Sequence, residues 1–213
     1  PASMVRIAAA IDAGSLPAIC LNGAFIIDTK SRKTIWEKSM SYASVRRLID
    51  LGHEYGLYLS IMTGWEWLVE EDSDWSRAEA AIVEISPTVT GDFSRLAERP
   101  VHKMLAVGER DQVVRFRDRV AAANIGVSAT ISNPTYCELV DSSVSKANGL
   151  LYLCSYYEIP RENIVVFGDG ENDLSMMQVG GISVAMGNAS PAVQAAASYV
   201  TRSNDEDGIA YAL

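Results

Sequence analysis

The sequence predicts an α/β chain of two textures, and three observations carry that prediction. From residue 145 onward apolar runs alternate strictly with helical patterns, as in a doubly wound parallel sheet. Within that stretch, Ile164-Val165-Val166-Phe167-Gly168-Asp169-Gly170-Glu171-Asn172-Asp173-Leu174 reads as a buried parallel strand, an acidic turn and a helix. Before it, over about 25–135, hairpin signals and amphipathic helices are mixed as in an antiparallel α+β insert.

The first helix is expected over 5–13, closed by Gly14. A loop follows, then a buried strand within 16–24 that ends in a turn at Asn22-Gly23. Residues 25–28 and 34–37 read as a hairpin around Thr29-Lys30-Ser31-Arg32. An amphipathic helix over 44–55 carries Val45, Leu48, Ile49 and Leu51 near one side, and Gly56 ends it. A strand follows over 57–62. Trp65, Trp67 and Trp75 surround the acidic run Glu70-Glu71-Asp72, which reads as a solvated stretch, while the indoles read as packing. A helix is expected over 75–84, and a loop with one helical turn over 85–99. Next come a strand over 102–107, a helix over 110–123, and an antiparallel pair, 127–131 with 136–140, around Asn133-Pro134.

The alternating part then runs helix 145–157, strand 164–167, helix 172–179, strand 182–186, helix 190–197, strand 199–201 and a last helical turn near Asp207. Pro191 suits the first turn of its helix. Asn172 or Asp173 is expected to cap the helix that begins near Leu174.

Bulk composition sets bounds. A chain of 213 residues with 48% hydrophobic content can bury a sizeable core in one large domain or two small ones. Charged residues make up 21%, and no apolar run is long enough to span a bilayer, so no membrane span is expected. A net charge of −9 argues against a nucleic-acid surface. Cys20, Cys137 and Cys154 are widely spaced, which suggests buried free thiols in a reducing cytoplasm rather than disulfides or zinc.

The acidic turn is the candidate site. Asp169 and Asp173 fall at the carboxyl end of a strand, where open α/β sheets build their sites. Two carboxylates crowded there repel unless a cation lies between them, and Mg²⁺ takes oxygen ligands while keeping waters and a substrate phosphate. Read alone, Gly-Asp-Gly is more simply a plain turn and Asp173 a plain cap. Lys146 follows Ser145, a good N-cap, and so places a cation against the positive end of a helix dipole. That conflict costs about 0.3–1 kcal/mol when exposed; local conflicts of this kind mark functional positions, and on position alone a snorkelling surface lysine is an equal reading.

Four segments then occur in a fixed order: Val144-Ser145-Lys146, Phe167-Gly168-Asp169-Gly170-Glu171-Asn172-Asp173, Val184-Ala185-Met186-Gly187-Asn188-Ala189 and Ser203-Asn204-Asp205-Glu206-Asp207-Gly208. Together they resemble the haloacid dehalogenase (HAD) superfamily, in its Cof-like sugar-phosphatase branch with a type IIB cap. Asn22-Gly23-Ala24 resembles the start of that family's cap. The resemblance covers nearly the whole chain and is specific over 144–213. It implies a HAD-like doubly wound core, formed by 1–24 and 137–213, with an inserted α+β cap over 25–136.

It further implies a Mg²⁺-dependent phosphatase of small phosphorylated metabolites, sugar phosphates above all, working through an aspartyl phosphate. On it, Lys146 holds the phosphoryl oxygens, Asp169 ligates the metal, and Asp173 supports the metal directly or through water. Asn172 lies near the substrate phosphate, and Asn22 and Gly23 lie near the site mouth at the cap hinge.

Two of the family's motifs have no match. The nucleophile segment, a strand followed by Asp-x-Asp-Gly-Thr, does not occur. Asp72-Ser73-Asp74 and Asp205-Glu206-Asp207 have the triplet without the strand or the Gly-Thr. The Thr-Gly-Arg-Pro segment is also missing, and Pro1 matches the position just past its arginine. The expectation is a core lacking its first two strands, with the missing segment bound as a separate peptide or replaced by a neighbouring chain, and no turnover by these 213 residues alone. A phosphomutase, a non-catalytic fragment or pseudoenzyme, and a response-regulator-like or flavodoxin-like domain are the competing readings. The last explains neither the large insert nor the four ordered segments.

Overall fold

The computed structural model describes residues 1–93, 96 and 99–213. The helical turn expected within 85–99 falls in part on residues 94, 95, 97 and 98, outside the described residues. The chain divides into two compact units, Pro1–Val144 and Ser145–Leu213.

The first unit opens with α1 (Ala2–Ala10), shifted toward the N-terminus from the expected 5–13. It stops early because Asp12 and Gly14 both turn to positive φ. Strands β1 (Pro17–Cys20), β2 (Phe25–Asp28) and β3 (Thr34–Glu37) form one antiparallel sheet in that order, so β1 is an edge strand.

A second sheet follows. It is built from β4 (Tyr58–Thr63), β5 (Glu66–Val69), β6 (Thr88–Val89), β7 (Lys103–Val107), β8 (Val127–Asn133) and β9 (Tyr136–Asp141), in the order β6-β5-β4-β7-β9-β8. All its pairs are antiparallel except β5 with β6.

Helices α2 (Tyr42–Glu54) and α4 (Arg110–Ala123) supply the apolar stripe for the main core. Val45, Leu48 and Leu51 meet Val113, Phe116 and Val120 over Leu59, Ile61, Met104 and Leu139. The spacings i, i+3, i+6 in α2 and i, i+3, i+7 in α4 put each set near one side of its helix. Ser41 caps α2, its Oγ accepting from the Ser44 amide at 3.1 Å. Helix α3 (Asp74–Val83) begins with a reciprocal Ser73–Ser76 cap. The sequence reading missed the two-residue β6, which falls within 85–99 where a loop was expected, and it missed β5. Four residues between Gly64 and an acidic run carry too little alternation to declare a strand, and pairing with β4, Met62 opposite Trp67, fixes it.

The second unit alternates as expected. Helix α5 (Lys146–Tyr156) precedes β10 (Val165–Gly168); a 3₁₀ turn and α6 (Leu174–Met177) lead to β11 (Ile182–Ala185); α7 (Pro191–Ala196) leads to β12 (Tyr199–Val200). A short α8 (Gly208–Ala212) ends the chain. The three strands pair in parallel in the order β10-β11-β12. Val166, Met177, Ala185 and Val193 form the core on one face. Of β10, expected as a buried strand, Val166 and Gly168 are buried; among the described residues it is an edge strand, and Val165 is 46% exposed because period-two alternation turns it to the other face, beside exposed Ile182 and Tyr199.

All three cysteines are free and buried. Burial pushes the Cys137 thiol up to about 12 and raises that of Cys20, so both stay protonated at neutral pH. Among the described residues no helix is long and apolar enough to cross a membrane.

Candidate active site

In the second unit the candidate residues gather at the carboxyl ends of the parallel strands. β10 ends at Gly168, and Asp169 and Gly170 make the turn into the 3₁₀ segment Glu171–Asp173. Gly168 is required there: a Cβ on it would lie 2.6 Å from the Asp173 Cβ and 2.9 Å from the Met177 Cε. The chain therefore folds back tightly enough to press Asp173 against the strand end. Asn172 leans over the turn, its Oδ1 2.7 Å from where a Cβ on Gly170 would be.

Asp173 stands at the N-cap position of α6, as expected, but its side chain makes no capping bond there. Its carboxylate turns backward instead. Oδ2 accepts from the amides of Asp169 at 3.2 Å and Gly170 at 3.1 Å, and Oδ1 accepts from the Lys146 Nζ at 2.6 Å. The backbone amides of the turn and the lysine outcompete the α6 amides because they reach both oxygens at once. Asp173 is buried, with 9% of its side chain exposed, and Lys146 keeps 28%. Ser145 holds the start of α5, accepting from the Asn148 amide at 3.1 Å, and this sets Lys146 at the first helical position. An ammonium carries three donors, and Asp173 is its one acceptor among the described residues.

Asp169 is exposed. Its Oδ2 accepts from the Asn188 Nδ2 at 3.2 Å, and the Asn188 Oδ1 in turn accepts from the Asn204 amide at 3.1 Å. Asn188 follows β11 as Asp169 follows β10, and Asn204 follows β12. Three strand ends are thus tied in one polar line. Gly187 permits it, since a Cβ there would lie 2.8 Å from the Ser203 nitrogen. The role of Asn188 escaped the sequence reading, although Ala185-Met186-Gly187-Asn188 after the neighbouring parallel strand was the available signal.

The donor set bears on metal. Among the described residues no three His, Cys, Asp or Glu converge to hold an ion by protein ligands alone. Asp169 Oδ1 has no protein donor among the described residues, whereas both oxygens of Asp173 are taken. A hard cation bound through one carboxylate, with water and phosphate oxygens completing its shell, fits this set; that is the habit of Mg²⁺.

Asn22 and Gly23 belong to the first unit. Leu21, Asn22 and Gly23 all have positive φ, at 51°, 59° and 102°, a strained run for which only glycine is well suited. The Asn22 Nδ2 donates to Glu138 Oε2, and Glu138 Oε1 is paired with the Lys103 Nζ at 2.9 Å. Burial pushes the Glu138 carboxyl up, Lys103 and Asn22 push it down, and the net shift is downward. Sequence reading did not single out Glu138 or Lys103.

A doubly wound unit whose lysine, carboxylates and amides meet at the carboxyl ends of parallel strands is an anion-handling α/β site. Comparison with known proteins makes this specific. The family model described as haloacid dehalogenase-like hydrolase matches residues 1–213, and the chain belongs to that family.

A Bacillus subtilis relative named 5-amino-6-(5-phospho-D-ribitylamino)uracil phosphatase is 28% identical over 200 residues, covering 91% of this chain and 73% of the relative. The chain spans only about half, 53%, of a Haemophilus influenzae relative that it matches at 30% identity over 144 residues. A haloacid dehalogenase-like hydrolase from Bacteroides thetaiotaomicron superposes with a TM-score of 0.87 at 30% identity, over 99% of this chain and 80% of that one. A HAD subclass IIB sugar phosphatase shares the fold, with a TM-score of 0.82 at 22% identity over 98% and 78% of the two chains.

Proposed function

We propose that the chain belongs to a Mg²⁺-dependent phosphatase acting on small phosphorylated metabolites, sugar and sugar-alcohol phosphates foremost, in the cytoplasm. The observation that carries this reading is the Lys146–Asp173 pair at 2.6 Å, set beside Asp169 at the ends of parallel strands. The Lys146 ammonium neutralises charge on the phosphoryl oxygens, and Asp173 holds it in place. Asp169 ligates Mg²⁺, with Asn188 orienting its carboxylate. When bound, the metal supplies charge stabilisation to the transferring phosphoryl group. Asp173, whose own oxygens are both occupied, would support a bound metal through water rather than directly. Asn172 contacts the substrate phosphate, and Asn22 and Gly23 are assigned to substrate binding on the family resemblance. The name of the Bacillus subtilis relative supports a phosphorylated polyol as substrate.

The reaction passes through an aspartyl phosphate, and the 213 residues contain no Asp-x-Asp-Gly-Thr to supply it. Turnover therefore needs a nucleophile from outside these residues. That same observation favours a second reading, a non-catalytic binding chain. Phosphate release from a panel of sugar and sugar-alcohol phosphates, with and without Mg²⁺, separates the two. The test uses the chain alone and the chain joined to a segment carrying the nucleophile motif. Release that appears only in the joined protein with Mg²⁺ upholds the phosphatase; no release in either form upholds the second reading.

A further inference from the structure

Asn188 is exposed, so packing alone does not aim the side chain that reaches Asp169. Its direction comes from the backbone, and the peptide planes around it are each held. The Gly187 amide donates to the Arg202 carbonyl at 2.9 Å, and the Ala189 amide donates to the Met186 carbonyl at 3.0 Å. The planes that follow Gly187 and Ala189 are held through their oxygens by one side chain. The Gln194 Nε2 donates to the Gly187 carbonyl at 3.0 Å and to the Ala189 carbonyl at 3.1 Å. We propose that Gln194 is a positioning residue, which fixes the loop 187–189 so that Asn188 orients the Asp169 carboxylate toward a bound cation. The cation's part rests on the phosphatase reading; the hold of Gln194 on Asn188 does not.

The peptide plane carrying the Gly187 carbonyl sets φ of Asn188, and the plane carrying the Ala189 amide sets its ψ. Gln194 therefore supplies the φ side of the restraint, beside a glycine that would otherwise turn freely. A primary amide nitrogen carries two donors, and both go to the loop, one on each side of Asn188.

These bonds do not serve the helix. The start of α7 has spare N–H donors, not spare carbonyls. A glutamine that capped it would turn its oxygen to those donors. Gln194 turns its nitrogen to the loop instead, and two carbonyl oxygens can be met only by that end of the amide. Ser190, at the N-cap position, makes no side-chain capping bond. The anchor itself is firm: Pro191 opens the helix, the Gln194 amide donates to the Ser190 carbonyl at 3.0 Å, and the neighbouring Val193 is fully buried.

The test is hydrogen exchange of the Asn204 amide, whose acceptor is the Asn188 Oδ1, measured by NMR on the 213-residue chain without metal. Gln194→Met keeps the length of the side chain and removes both donors. It is expected to speed Asn204 exchange several-fold, toward the rate in Asn188→Ala. Amides of the β10–β11 ladder should exchange as in wild type, which serves as the folding control. Mg²⁺ binding is followed by calorimetry on the chain joined to a segment carrying the nucleophile motif. Gln194→Met is expected to weaken it several-fold, and to weaken it no further in an Asn188→Ala background, because the two residues act in series. Wild-type exchange of Asn204 in Gln194→Met, or losses that multiply in the double variant, would overturn the proposal. A joined protein that binds no Mg²⁺ would sink the phosphatase reading instead, and Asn204 exchange would still decide whether Gln194 holds Asn188.

Discussion

The Lys103–Glu138 pair of the first unit and the Lys146–Asp173 pair of the second are the same chemistry at similar distances, 2.9 and 2.6 Å, yet they are built for different ends. Lys103 and Glu138 lie on neighbouring strands, one diagonal step apart in a register that sets Leu105 opposite Glu138. Both are nearly closed off, at 14% and 13% exposure. Side chains complete the carboxylate's shell, with Asn22 on the second oxygen.

Lys146 and Asp173 lie instead at a helix start and a turn. Backbone amides complete the Asp173 shell, and Lys146 is twice as exposed as Lys103, with its charge against the helix dipole. A pair on strands with both charges sealed reads as architecture. A pair whose cation stays accessible in an unfavourable field reads as a site.

The sharpest way to break this comparison is to replace each lysine by methionine, which keeps most of the stem and removes the charge. In a catalytically competent protein, Lys146→Met is expected to lower kcat for phosphate release by about 10²–10³-fold, as loss of one preorganised charge-stabilising donor does. Lys103→Met leaves Glu138 buried without its counter-ion and is expected to cost about 3 kcal/mol of stability. The rate per folded molecule should not change. Denaturant unfolding and phosphate release measured on both variants decide it. A reversal, with Lys103→Met inactive and Lys146→Met only unstable, would exchange the two assignments.

The backbone beneath the second pair comes next in size. Gly168→Ala brings a methyl to 2.6 Å from the Asp173 Cβ, and something must shift. Overpacking of this kind costs about 1–3 kcal/mol. The shift should also move Asp173 off Lys146, so activity is expected to fall further than stability accounts for. Normal kinetics in a stable Gly168→Ala protein would show that the tight fold-back serves packing alone.

Asn188→Ala tests a smaller term. Asn188 is exposed, and it links Asp169 to the Asn204 amide. Its loss is expected to weaken Mg²⁺ binding by about tenfold, the lower end for removal of a residue that orients a metal ligand. Titration of the variant with Mg²⁺, read by phosphate release, checks it. An unchanged half-saturation point would remove Asn188 from the metal's surroundings.

The comparison also shows why the sequence disclosed one pair and hid the other. Lys146 and Asp173 lie in contiguous segments whose local physics is visible in the letters: Ser145 before a helix, and Gly168-Asp169-Gly170 after an apolar run. Helix 110–123 was legible to the residue for a related reason, since its apolar period and Asn124 stop are local. Lys103 and Glu138 meet only through the register of β7 and β9, a tertiary fact that no window of sequence contains. The same holds for β5, which exists by pairing with β4, and for the backward turn of the Asp173 carboxylate, which local capping rules send toward α6. Asn188 lies between these cases. Its segment was visible, but its reach to Asp169 depends on the parallel alignment of β10 and β11.

Acid separates the two pairs on the Glu138 side. Burial raises the Glu138 carboxyl while Lys103 and Asn22 lower it, and the folded value settles below the ordinary 4.5. A depressed carboxylate contributes stability that is fully present above its unfolded value and is lost as pH falls through the folded one. Below both values wild-type Glu138 is protonated and uncharged, as a glutamine is at every pH. The stability gap between wild type and Glu138→Gln should therefore be constant near neutrality, begin to shrink as pH drops below the ordinary value of 4.5, and close in stronger acid. Denaturant midpoints at a series of pH values from about 7 to about 3 measure it. A gap that persists unchanged through acid would mean that Glu138 acts by shape and hydrogen bonding rather than by charge, and the two lysine pairs would then differ in kind rather than in setting.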